Sequence, residues 1–126
     1  MLGIGVDAVE VDRFRRIVER RSRLLERVFT EGERAYADRG VNAAERYAAR
    51  WAAKEAVLKA LGAGLGRAPL RDIEVVKAAS GAPALRLHGA AASLARERGV
   101  QSWLLSLTHT RRTAQAVVVA LGEPAP

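Results

Sequence analysis

Along Arg50-Trp51-Ala52-Ala53-Lys54-Glu55-Ala56-Val57-Leu58-Lys59, an acid and a base stand four residues apart, which on a helix is one face. On a solvated surface such a pair contributes only about 0.3 kcal/mol. Ala52, Ala53 and Ala56 flank it, and side chains this small let a second backbone or a bulky ligand approach, so Glu55 and Lys59 are also candidates to hold a metal and a phosphate. Asp7 closes a glycine-bearing stretch, Gly3-Ile4-Gly5-Val6-Asp7. Its plain role is to favour, with Glu10 and Asp12, the start of the helix that follows. The alternative places it facing Glu55, where two carboxylates make a Mg²⁺ site completed by waters and substrate phosphates. Ser106-Leu107-Thr108-His109-Thr110 sets a histidine among hydroxyls at a strand end, either as a structural group or as a ligand contact. His88 lacks such company and reads as structural. With no cysteine, disulfides, thiolate-bound metals and thiol catalysis are excluded. Neither a Gly-x-Ser-x-Gly elbow nor a Walker loop occurs, so serine hydrolase and P-loop chemistry have no support.

The elements that must position these residues follow from periodicity. Residues 2–8 alternate, which predicts a strand with Asp7 on the face opposite Leu2, Ile4 and Val6, and glycines where another backbone comes close. Phe14, Ile17 and Val18 mark a first helix, and Leu24, Leu25 and Val28 a short second one. Thr30-Glu31-Gly32-Glu33 has capping-box spacing and should start a short helix through Tyr36. Asn42 and Glu45 give a further cap signal before the longest helical run, rich in alanine, which ends at Leu61-Gly62. A loop through Gly64, Leu65 and Gly66 leads to strands around residues 73–76 and 85–87, joined by the turn Ser80-Gly81-Ala82-Pro83. A small-residue helix over 89–98 and two strands, 102–108 and 113–121, complete the chain before a frayed tail, Glu123-Pro124-Ala125-Pro126. The order predicts an α+β fold: a mainly antiparallel sheet packed against a long central helix, one domain over residues 1–126. Ala116-Val117-Val118-Val119-Ala120-Leu121 does not alternate, so this strand is expected to be covered on both faces, by a helix and by another subunit.

The chain has 126 residues and a formal charge of +7, with 21 Lys and Arg against 14 Asp and Glu. A basic chain suggests nucleic acid, but only 5% of residues are aromatic and the arginines are interleaved with acids, so a basic face for an acidic protein or a phosphorylated small molecule fits equally well. A non-catalytic nucleic-acid module is the rival to an enzyme. No apolar run is long enough to cross a membrane, and the start lacks the basic, apolar pattern of a signal peptide, so a cytoplasmic protein is expected.

Four segments together resemble the holo-acyl-carrier-protein synthases, the small 4′-phosphopantetheinyl transferases. They are Gly3-Ile4-Gly5-Val6-Asp7-Ala8-Val9-Glu10-Val11-Asp12-Arg13-Phe14, Phe29-Thr30-Glu31-Gly32-Glu33, the stretch from Arg46 to Ala56 with Lys59, Gly62 and Gly64, and Leu105-Ser106-Leu107-Thr108-His109-Thr110. The resemblance implies transfer of the phosphopantetheine arm of coenzyme A to a serine of an apo acyl carrier protein, with release of 3′,5′-ADP. It implies Asp7 and Glu55 as Mg²⁺ ligands and Lys59 as a phosphate partner and proton donor. Glu55 and a metal-bound water are both left open as acceptors of the serine proton. Arg50, His109 and Thr110 match positions that bind the nucleotide and its 3′-phosphate, and Gly62 and Pro83 positions that line the coenzyme A cleft. A homotrimer with active sites between subunits is implied, and Arg13, Arg16 and Arg20 are expected to receive the acidic helix of the carrier. The chain departs from the pattern at Ala82, where a basic residue is frequent, at Thr108, and at Arg111-Arg112, where acids are frequent.

Overall fold

The protein is described from a computed structural model over residues 1–64 and 66–124. Leu65, in the expected glycine-rich loop, and Ala125-Pro126, in the expected tail, lie outside the described residues. The elements run β1 (Gly3–Glu10), α1 (Val11–Glu19), α2 (Leu24–Val28), α3 (Glu31–Ala37), α4 (Ala43–Ala60), a 3-10 turn (Leu70–Asp72), β2 (Ile73–Lys77), β3 (Pro83–Leu87), α5 (Gly89–Glu97), β4 (Val100–His109) and β5 (Thr113–Gly122). All strand pairs are antiparallel, as expected for this α+β chain. The five strands form two sheets, β1-β5-β4 and the hairpin β2-β3. Among the described residues no helix is long and apolar enough to cross a membrane.

Helix α4 is the axis of the molecule. Its alanines 48, 49, 52, 53 and 56 are buried, as are Tyr47, Val57 and Leu58, and they meet the inner face of the three-stranded sheet, where Ala114, Ala116, Val118 and Ala120 of β5 are buried. The packing of β1 on α4 is unusually close. A Cβ at Gly3 or Gly5 would overlap the carbonyl oxygens of Ala60 and Ala56, respectively, so only glycine permits this approach. Two residues of strand advance about 6.8 Å and four residues of helix about 6 Å, so the ladder Gly3–Ala60, Gly5–Ala56 continues in step and carries Asp7 toward the part of α4 that holds Glu55. The buried face of β1 is therefore the Gly3, Gly5, Val9 face, and Ile4 and Val6 stand outside, 59% and 57% exposed.

The capping box forms as expected: Thr30 Oγ1 accepts from the Glu33 amide at 3.1 Å, and Glu33 Oε1 accepts from the Thr30 amide at 3.0 Å. Asn42 occupies the N-cap of α4, but its side chain makes no capping hydrogen bond, a correction to the second cap signal. Glu33 has a further role. Its Oε1 pairs with Lys54 Nζ at 2.7 Å, its Oε2 accepts from the Val75 amide at 2.9 Å, and the remaining lysine donors reach the carbonyls of Leu70 (3.1 Å) and Ile73 (2.5 Å). Both side chains are fully buried, and burial pulls the lysine below its ordinary range against the opposing influence of Glu33. Every donor and acceptor is used, which makes the buried pair tolerable and fastens α3, α4 and β2 to one another. Lys54→Met strands the Glu33 carboxylate, and a loss of about 3–5 kcal/mol is expected in urea denaturation. A loss under about 1 kcal/mol would show a pair no stronger than a surface one.

Candidate active site at the two sides of the central helix

The first cleft lies where β1 crosses α4, a cavity of about 430 Å³ lined by Asp7, Glu10, Arg13, Trp51 and Glu55. Lys59 Nζ donates to Asp7 Oδ1 and to the Val6 carbonyl, each at 3.0 Å. The lysine is thus paired with Asp7 and not, within the described ion pairs, with the Glu55 four residues before it. Glu55 is half-buried, and burial first, then the charge of Asp7, pushes its carboxyl above the ordinary range, while Lys59 and Arg13 pull the other way. The two carboxylates therefore sense each other across the cleft. The Arg13 guanidinium lies over Trp51, 5.2 Å from the ring centroid, and 5.9 Å from that of Phe14, so this exposed arginine lines the cleft. Arg16 and Arg20 remain exposed.

The second cleft, about 350 Å³, is lined by Tyr36, Arg46, Arg50, Lys77, Gly81, Pro83, Leu107 and His109. Arg50 lies over Tyr36 at 4.2 Å from the ring centroid. Burial lowers its pKa, and its buried Nε has no partner in the described structure. His109 Nδ1 is 3.0 Å from Glu45 Oε1, which orients the ring at the end of β4. His88, read as structural, pairs with Glu74 at 2.8 Å away from both clefts. Arg50 and Glu55 are five residues apart, about 7.5 Å along α4 and about 140° around it, so the clefts open on different sides of the helix.

The pattern of the 4′-phosphopantetheinyl transferase superfamily matches residues 3–119. The holo-[acyl-carrier-protein] synthase of Solibacter usitatus is 46% identical over 121 residues, covering 94% of this chain and 97% of that protein. Two solved structures are closely similar: acyl carrier protein synthase of Mycobacterium tuberculosis, with TM-score 0.74 and 38% identity over 97% of this chain and 98% of that one, and a Bacillus anthracis holo-(acyl-carrier-protein) synthase in complex with CoA (3′,5′-ADP), with TM-score 0.77 and 33% identity over 97% of each. The chain belongs to the holo-acyl-carrier-protein synthase family.

It is therefore an enzyme of a phosphopantetheinyl transferase family. Of the residues that the synthase resemblance assigns, Asp7 and Glu55 share the first cleft with Lys59 on Asp7, and Arg50, Pro83 and His109 share the second. Gly62 joins neither: it follows the C-terminal end of α4 with φ 66°, a left-handed conformation that suits glycine, near the Arg98 guanidinium. Thr110 is spent on the β4–β5 turn, where its hydroxyl accepts from the Thr113 and Arg112 amides at 3.1 and 3.2 Å. Tyr36, Arg46 and Lys77 were not anticipated as site residues. Arg46 precedes Arg50 by one helical turn, a signal that was available, whereas Tyr36 and Lys77 arrive from α3 and β2, whose approach no local pattern announces.

Proposed function

We propose that the chain transfers the 4′-phosphopantetheine arm of coenzyme A to a serine hydroxyl of an apo acyl carrier protein, releasing 3′,5′-ADP. The observation that carries this reading is the pair Asp7 and Glu55, two carboxylates facing one cleft with the Lys59 ammonium on Asp7. Two carboxylates on rigid elements fit Mg²⁺, which takes one or two of them and leaves the remaining positions to water and phosphate oxygens. When bound, the ion supplies electrostatic stabilisation of the charge that develops on the pyrophosphate. Lys59 is placed to hold a phosphate oxygen of the substrate, and its ammonium can neutralise or protonate the departing phosphate. In the transfer, the serine oxygen forms a bond to phosphorus, the pyrophosphate P–O bond breaks, and its electron pair leaves with 3′,5′-ADP. Glu55 in the cleft and a water held there by the bound ion are the two acceptors open to the serine proton. The second cleft, with Arg50 and His109, takes the nucleotide; supporting this, the similar Bacillus anthracis structure is a complex with CoA (3′,5′-ADP). Chromatography of a reaction containing Mg²⁺, coenzyme A and apo carrier should show 3′,5′-ADP accumulating only when the carrier is present. Equal release without it would replace transfer with hydrolysis.

Because the clefts face different sides of α4, one copy does not join them, and a homotrimer that sets the first cleft of one subunit beside the second of its neighbour completes the site. The outer face of β1-β5-β4 supports assembly. Ile4 and Leu104 are both opposite Val119, and Val6 is opposite Val117, giving adjacent apolar rows. Val6 and Leu104 are 57% exposed in the single chain and Val117 is 40% exposed. A patch of this kind is costly to leave in water. Light scattering should report three chains per particle; a fully active particle of 13.6 kDa would contradict the shared site.

The carrier is expected at the C-terminal end of α1, where Arg16 and the C-cap residue Arg20 are exposed and four residues apart. Attraction to an acidic helix is screened by salt and acts on encounter more than on chemistry. Arg16→Glu with Arg20→Glu should raise the KM for carrier about tenfold or more at low salt while that for coenzyme A stays constant. Unchanged carrier kinetics from low to high salt would place docking elsewhere.

A further inference from the structure

The ring of Tyr36 gathers three cations: the guanidinium of Arg50 at 4.2 Å from its centroid, that of Arg46 at 5.2 Å, and the ammonium of Lys77 at 5.4 Å. They come from α4 and from the end of β2, and all four residues line the second cleft. Among the described residues none of the three cations is in an ion pair. The carboxylates close by are committed elsewhere: Glu45 to His109, Glu33 to Lys54, and Glu74 to His88 and to the Thr30 hydroxyl at 2.8 Å. Three like charges around one ring repel one another, and the quadrupole of a single tyrosine offsets only part of that. Such a cluster is stable when an anion bridges it.

The donors divide unequally. Arg46 is pinned, its Nη1 donating to the carbonyls of Tyr36 and Arg39. Arg50 makes one long bond, 3.4 Å to the Arg46 carbonyl, and keeps other donors free. Lys77 is exposed, with no hydrogen bond from its ammonium among the described residues, and its strand register puts it directly opposite Pro83 at the mouth of the cleft. We infer that Lys77, held at the Tyr36 ring in the cleft that Arg50 also lines, is a substrate-binding residue that receives the 3′-phosphate monoester of the nucleotide. Arg50 supplies the planar fork and Lys77 a compact charge on the other side of the anion. Tyr36 sets the spacing of the two cations, and so acts as a positioning residue.

The inference rests on the reading that this cleft takes the nucleotide of coenzyme A, and it adds which group of this chain distinguishes a nucleotide with a 3′-phosphate from one without. The test is calorimetric binding of 3′,5′-ADP and of 5′-AMP to the intact protein at two salt concentrations, with wild type, Lys77→Ala, Lys77→Arg and Tyr36→Leu. Lys77 lies exposed at a strand end, so its variants are expected to fold, and circular dichroism verifies this. Lys77→Ala should weaken 3′,5′-ADP about tenfold, leave 5′-AMP nearly unchanged and flatten the salt dependence, while Lys77→Arg recovers most of the loss. Tyr36→Leu should weaken 3′,5′-ADP with the salt dependence kept, because both cations remain. Equal weakening of both nucleotides by Lys77→Ala, or no weakening, would overturn the role of Lys77 while wild-type binding upholds the nucleotide cleft. Wild type that binds neither nucleotide would overturn both.

Discussion

Asp7→Ala and Glu55→Gln are each expected to remove at least about a hundredfold of kcat/KM for carrier modification, because each takes away a carboxylate that would hold the Mg²⁺ whose charge stabilises the reacting phosphates. The same loss is expected for wild type in excess EDTA. Neither change opens a new closed cavity, since Asp7 lines an existing cleft and glutamine keeps the shape of glutamate. The stability effect of Glu55→Gln has a definite sign. Burial and Asp7 raise the folded-state pKa of Glu55, so the folded protein binds its proton more tightly than the unfolded chain does. Such a group stabilises the fold below the unfolded pKa and loses that contribution as pH rises through the folded one. At neutral pH the ionised Glu55 is therefore a cost, and Glu55→Gln should match or exceed the wild-type Tm while losing activity. Activity retained in EDTA, or a Tm that falls together with activity in both variants, would remove the carboxylates from the chemistry.

Gly5→Ala is expected to destabilise the protein by more than about 3 kcal/mol. The added carbon meets the backbone carbonyl of Ala56, which cannot rotate aside as a side chain would. Moving β1 outward to relieve the overlap would also draw Asp7 away from Glu55, so residual folded protein should be inactive. Gly64→Ala is the control, since a Cβ there meets nothing within 4 Å among the described residues and its cost should be under about 1 kcal/mol. Similar denaturation midpoints for the two variants would contradict the close packing of β1 on α4.

That packing was legible in the sequence because it is local in character: alternating glycines on one segment and alanines at helical spacing on another each announce a surface that something approaches. The same signals offered Asp7 facing Glu55 only as one of two readings, and it was the family resemblance that favoured it. The partner of Lys59 was not legible, since helical spacing offers Glu55 and only the tertiary ladder of β1 along α4 offers Asp7. Lys54 shows the same limit more sharply. No residue within its own stretch of helix supplies a partner, and its burial depends on Glu33 and on two carbonyls 16 and 19 residues downstream. Thr30 and Glu33 formed their capping box because both partners lie within one turn, whereas Asn42, with equal propensity, does not cap because its backbone, at φ −102° and ψ 29°, is outside the extended conformation typical of capping residues. The split into two sheets could not be read from strand order, because hairpin pairing is local and the joining of hairpins is not. Tyr36 and Lys77 met at Arg50 for the same reason: three elements converge there, and each was unremarkable alone.

The most direct test is the intact mass of an apo acyl carrier protein after incubation with this protein, coenzyme A and Mg²⁺. The carrier is expected to gain one phosphopantetheinyl group on its serine with wild type, and to keep its apo mass with Asp7→Ala or in EDTA. A carrier that keeps its apo mass in the presence of folded wild-type protein, coenzyme A and Mg²⁺, across several carriers, would contradict the transfer.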